Sequence, residues 1–170
     1  MTPHRPIGPG TAETQPLHEV VYEKLRNALM SGQIAPGRKL TSRKLAKELG
    51  TSDMPVRSAL VRLQALRALV QLDNGSMGLP PMTRARFADL MSTRLVCEPT
   101  ATRLAVQGLG AAELLTLRQS AEALTAAAED QDIDAYLRIN RDFKFSIYAA
   151  CGSPSLLFLI ETLWLQVGPF

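Results

Sequence analysis

The stretch Glu48–Leu60, ELGTSDMPVRSAL, sets a helix-breaking Gly-Thr-Ser corner directly before a proline, an arginine and a new apolar seam. Leu45, Ala46 and Leu49 give the preceding segment one apolar face, and Gly50 ends it. Ser52 is of the N-cap type, and Pro55 falls in the first turn of the next helix, where its missing N–H costs nothing. Val56, Ala59, Leu60 and Leu63 then recur at three and four, so that face must pack inward. Asp53 and Arg57 lie one turn apart on a different face, pointing away from that core. Two short helices meeting at a sharp corner, the second opening with polar side chains, form a shape suited to entering a groove.

Working outward, Leu17–Met30 repeats apolar residues at helical spacing and stops at Ser31-Gly32, which predicts a first helix. IAPGRKL then reads as an extended stretch with a Pro-Gly turn, after which Thr41 or Ser42 caps the second helix. Past Leu66, ALVQLDNGSMGLP predicts a strand, an Asn74-Gly75 turn of the I′ kind and a second strand. Three helices followed by a hairpin make a winged helix-turn-helix. The remainder reads as helical over about 83–107, 111–129, 133–151 and 154–167, punctuated by Gly108, Gly110, EDQD and CGSP, and such short connections imply an antiparallel bundle.

Charge divides along the same line. Residues 1–82 hold eleven Lys/Arg against six Asp/Glu, and residues 83–170 hold eight against ten. A polyanion-binding half joined to an ordinary half follows. Only Tyr22 among the aromatic residues precedes position 83. The basic half therefore lacks stacking platforms, which makes single-stranded nucleic acid a poor partner and leaves duplex binding open. Residues 1–16, rich in Pro, Gly and Thr, read as a flexible arm, so the expected division is arm 1–16, DNA-binding head 17–82 and helical half 83–170. Cys97 and Cys151 show no metal spacing, and neither a secretory signal nor a membrane span is evident, which fits a cytoplasmic protein. His4 and His18 are the only histidines. With both near the N-terminus, no Ser/His/Asp, Cys/His or His-rich constellation assembles, and a helical enzyme is disfavoured.

SGQIAPGRKL and LAKELGTSDMPVRSALVRLQ together resemble the winged helix-turn-helix of GntR-type bacterial transcription regulators. TRLVCEPTATRLA and INRDFKFSIYAACGSPSLLFLIETLW resemble the helical effector domain of that family's FCD (FadR-like) branch, which includes repressors responding to fatty and organic acids. The resemblance runs from about Leu17 to the end. It implies a repressor that binds a near-palindromic operator as a homodimer under control of a small carboxylate. Family members usually carry arginine where this chain has Asp53, so the contact role carries over to Ser52, Arg57, Arg43 and the wing around Asn74 and Gly75. Many FCD domains hold a divalent metal through an aspartate or asparagine and a histidine four residues later. Asn140 and Lys144 occupy those positions, so no metal is expected. The chain also stops at Phe170, before the helices that close such bundles in the family, and an effector-blind regulator acting through DNA and dimerisation alone is the second expectation.

Individual residues keep two readings each. Arg57 is a groove contact for guanine or phosphate, or the partner of Asp53 at the favoured acid-before-base spacing. Asp53 accepts from cytosine N4, or stabilises the positive end of its helix. Arg43 and Lys44 are phosphate contacts or solubilising charges. Arg94 lies on the seam Phe87, Leu90, Met91, Cys97, Ala101 and Leu104, expected to face the interior. A buried guanidinium must be paired, either with Glu98 one turn on or, as the resemblance implies, with an effector carboxylate. Asn140, Lys144 and Tyr148 share a helical stripe with Tyr136. Lys144 on that stripe either meets an anionic effector beside Arg94 or snorkels into solvent.

Overall fold

A computed structural model describes residues 15–168 and Phe170, and the arm expected over 1–16 lies outside them except for Gln15 and Pro16. The head comprises α1 (Leu17–Met30), α2 (Ser42–Leu49), α3 (Asp53–Ala65), β1 (Val70–Gln71) and β2 (Met77–Gly78). Thr41 caps α2 by accepting from the Lys44 N–H at 3.4 Å, and Gly50 ends it in the left-handed conformation at φ 65°. Ser52 occupies the cap position of α3 in extended conformation, but its side chain makes no capping bond; Asp53 supplies the negative charge of the first turn. Val56, Ala59, Leu60 and Leu63 are all buried, against α1 residues such as Val21, Leu25 and Leu29.

The wing departs from the sequence expectation in two ways. The strands are shorter than the apolar run suggested, pairing only Val70 with Gly78 and Gln71 with Met77. The turn is not type I′, which requires positive φ at both central residues. Gly75 has φ 78°, whereas Asn74 is not among the positive-φ residues. The Gly75 N–H bonds Leu72 O at 2.8 Å and the Leu72 N–H bonds Ser76 O at 2.8 Å. This is a three-residue loop in which Gly75 takes the left-handed bulge position. Asn74 Oδ1 accepts from both the backbone N–H (3.1 Å) and the hydroxyl (2.6 Å) of Ser76, which stabilises that loop over the two-residue alternative. Leu40 adds a third partner through a bridge to Met77, tying the start of α2 to the wing.

The helical half contains α4 (Arg84–Ala105), α5 (Ala111–Glu129), α6 (Ile133–Ala149) and α7 (Pro154–Val167). α4 packs on α6 and α7, and α5 packs on α6. Of the seam expected to face inward on α4, Leu90, Cys97 and Ala101 are buried, but Phe87 and Leu104 are exposed. Leu104 lies at the edge of the arc centred on Ala101, and Phe87 lies in the first turn, so neighbouring helices leave both uncovered. Pro99 sits inside α4 and removes the N–H that would bond Leu95 O, at a place where Leu95 itself is exposed to solvent.

Head and helical half share one core, in which α1 packs on α7. A Cβ on Gly168 would fall 2.8 Å from backbone atoms of Leu29 and Met30, so the close approach of the two helix ends needs glycine there. Arg26 joins the two helices by donating to Glu161 at 2.5 Å, and it also donates to Glu23 of its own helix at 2.9 Å.

Candidate nucleic-acid interface and ligand cleft

The corner between α2 and α3 presents cations outward. Arg43, Arg57, Asn74 and Gly75 line one groove of about 700 Å³, bounded also by Thr41 and Ser42. Lys44 and Ser52 are exposed but do not line it. Arg57 donates to Asp53 at 3.1 Å while its side chain stays 68% exposed, so the ion pair orients the guanidinium without withdrawing it from solvent. Asp53 is held below the ordinary carboxylate range, first by the polar Ser42 side chain beside it, against some desolvation, and then by the charge of Arg57, which supplies its one hydrogen bond among the described residues. Arg62, farther along α3, faces the other way: it stacks 3.7 Å over the Tyr22 ring and bonds Glu19 of α1 at 3.0 Å. The fold therefore pairs one arginine of this helix with the surface of α1 and leaves the other at the groove.

A second site lies between α4 and α6. Glu98 is its centre: one carboxylate oxygen accepts from Arg94 Nε and from Trp164 Nε1 at 2.9 Å, and the other accepts from Tyr148 Oη at 2.6 Å. The Arg94 guanidinium also lies 4.6 Å from the Trp164 ring centre, and Phe145 stacks edge-on to Trp164 and Tyr148. Burial alone would raise the Glu98 pKa, but the donors Arg94, Tyr148 and Trp164, with the charge of Arg94, hold it below the ordinary range. Burial and the Glu98 charge push the Tyr148 phenol well above its usual range. Arg94, Glu98, Lys144, Tyr148 and Arg103 line a cleft of about 530 Å³. Asn140, one turn from Lys144, does not line it, and Tyr136 is exposed.

The pattern described as bacterial regulatory proteins, gntR family, matches residues 17–77, and that of the FCD domain matches residues 89–170. The HTH-type transcriptional regulator McbR of Escherichia coli K12 is 33% identical over 88% of this chain and 67% of its own length. The chain belongs to the GntR family, FCD branch. The solved structure of E. coli McbR/YncC superposes with a TM-score of 0.87 at 32% identity, covering 92% of this chain and 74% of that one. The uncharacterized regulator YdhC of Bacillus subtilis is 25% identical over 75% of this chain and 58% of its length. A putative GntR regulator from Rhodococcus sp. RHA1 shares the fold at TM-score 0.66 and 19% identity, over 89% of this chain and 72% of that one. Membership makes this GntR-family chain a transcription regulator rather than an enzyme, with a DNA-binding head and an effector-binding helical half.

Of the metal positions that the family resemblance implies, Asn140 and Lys144 lie among the described residues. Metal sites use imidazole, thiolate or carboxylate donors, and the Lys144 side chain is none of these. Among the described residues no three His, Cys, Asp or Glu side chains converge where an ion could be held. Sequence reasoning on this regulator missed Arg103 as a cleft residue and Glu98 as the acceptor for donors from two further helices. The Arg94–Glu98 spacing signalled one contact; Tyr148 and Trp164 are too distant in sequence to have signalled theirs.

Proposed function

We infer that this regulator is a repressor that binds a near-palindromic operator as a homodimer and responds to a small organic acid. The observation that carries this reading is the exposed Arg57, set with Arg43 and the Asn74-Gly75 wing around one groove of the head. In that role α3 enters the major groove and Arg57 meets guanine or phosphate. Arg43, with Lys44 and Ser52 beside it, meets the backbone, and the wing follows the adjacent phosphates. Two heads related by a two-fold axis match a two-fold DNA site. The acid binds in the α4–α6 cleft without a metal, and α7 links that cleft to α1 of the head. A cytoplasmic location accords with this role, and no helix among the described residues is long and apolar enough to cross a membrane.

Binding to DNA flanking the protein's own gene, measured over a salt series, tests the reading. A specific complex whose affinity falls steeply with salt is expected. Flat, sequence-blind binding would count against it.

A further inference from the structure

The ligand reading places an acid in the α4–α6 cleft, and the distribution of charge there indicates which kind. Arg94 is already engaged. Its guanidinium is paired with Glu98, lies over Trp164 and contacts Met91 Sδ at 3.8 Å. A ligand carboxylate that displaced Glu98 would leave the Tyr148 hydroxyl and the Trp164 N–H, both on buried residues, without their acceptor. The knot is therefore more stable intact, and its own charges cancel.

Two other cations line the same cleft. Lys144 is half-buried, 5.5 Å from the Trp164 ring centre, and has no acidic partner among the described residues. Arg103 likewise has none, and donates only within its own helix, to Pro99 O at 3.4 Å and Thr100 Oγ1 at 3.2 Å. Met91, Leu95 and Pro99 supply apolar wall. With Arg94 and Glu98 compensated, the cleft presents two uncommitted positive charges beside an apolar strip. A monoanion would leave one of them unmatched. We propose that the cleft takes a small dianion, either two carboxylates on a short carbon chain or a single phosphate monoester. Lys144 and Arg103 hold its charges, and the apolar strip covers its stem. Arg94 is a wall of the site rather than its anion clamp. The cleft, about 530 Å³, is of the size small-molecule sites have.

This inference rests on the ligand-controlled reading, and the test separates the two. Trp164 is the only tryptophan, so its emission reports on the neighbouring Lys144. The full chain is titrated at about pH 8, where propyl phosphate is doubly charged, with glutarate, propyl phosphate and butyrate, reading Trp164 emission and calorimetric heat. At least one of the dianions should bind about tenfold or more tighter than butyrate. Lys144→Gln and Arg103→Gln should each erase that preference. Lys144→Arg, which keeps the charge, should retain it, as should Arg118→Gln, which removes a charge on exposed α5 outside the cleft. Melting curves of each variant confirm that it folds. Equal binding of butyrate and both dianions, or an undiminished preference in Lys144→Gln and Arg103→Gln, overturns the inference while leaving ligand control standing. No heat, emission change or melting shift with any of the three acids overturns the ligand-controlled reading, and this inference with it.

Discussion

Arg26 of α1 donates to Glu161 of α7 at 2.5 Å, one turn before Trp164 of the same helix donates to Glu98. α7 thus bonds α1 of the head through Glu161 and Glu98 of α4 through Trp164. α1 in turn meets α3 where Arg62 lies over Tyr22 and bonds Glu19. The Arg26 and Glu161 side chains are 16% and 30% exposed, so solvent screens the pair only in part. Glu161→Gln should cost about 1 kcal/mol, seen as a melting decrease of about 2–4 °C, with DNA affinity in the absence of ligand unchanged.

Gly168→Ala should cost more. The added Cβ meets backbone of Leu29 and Met30 at 2.8 Å, and backbone cannot swing aside as a side chain can. Separating α7 from α1 is expected to cost about 1–3 kcal/mol by chemical denaturation. A variant as stable as the parent would show that the two helix ends are not held in contact.

Stability should fall at both ends of the pH scale through the Glu98 knot. Glu98 has a depressed folded pKa, so its contribution is complete above the unfolded carboxylate value and is lost as pH falls through the folded one. Tyr148 has a raised folded pKa, so its contribution is complete below the unfolded phenol value and is lost as pH rises. Melting temperature should therefore decline below about pH 4 and above about pH 10. Glu98→Gln, which leaves Arg94 unpaired, should cost about 3 kcal/mol at neutral pH and flatten the acid limb. Calorimetry across the pH range checks both.

Wing geometry gives a separate prediction. Gly75 has φ 78°, which a branched residue adopts only with strain, so Gly75→Val should cost about 1–2 kcal/mol. Amide exchange should quicken at Leu72 and Gly75, whose N–H groups close the loop. Asn74→Ala removes both bonds to Ser76 and should quicken the same amides to a smaller extent.

Much of this architecture was legible because it is local. The apolar spacing after Ser52 and the Gly50 corner placed α2 and α3, and the glycine and proline punctuation placed the starts of α5 and α7. The turn type was misread because Asn-Gly alone does not reveal that Asn74 caps Ser76 with its side chain. The Leu40–Met77 bridge and the α1–α7 joint join residues far apart in sequence, with no periodicity to announce them. At the groove, Asp53 and Arg57 were legible as neighbours from their spacing, and their pairing is intrahelical. At the cleft, only Arg94 with Glu98 had such a signal; Tyr148 and Trp164 reach Glu98 from two other helices, and Arg103 lines the cleft from α4 itself.

The most direct measurement compares Arg57→Gln with Arg118→Gln for binding to the DNA flanking the gene, each over the same salt series. Both remove one positive charge, but only Arg57 lines the head groove. Arg57→Gln should weaken the specific complex by about 1–3 kcal/mol, while Arg118→Gln binds as the parent does. Equal affinities for the two variants at every salt concentration would contradict an α3 that reads DNA through Arg57.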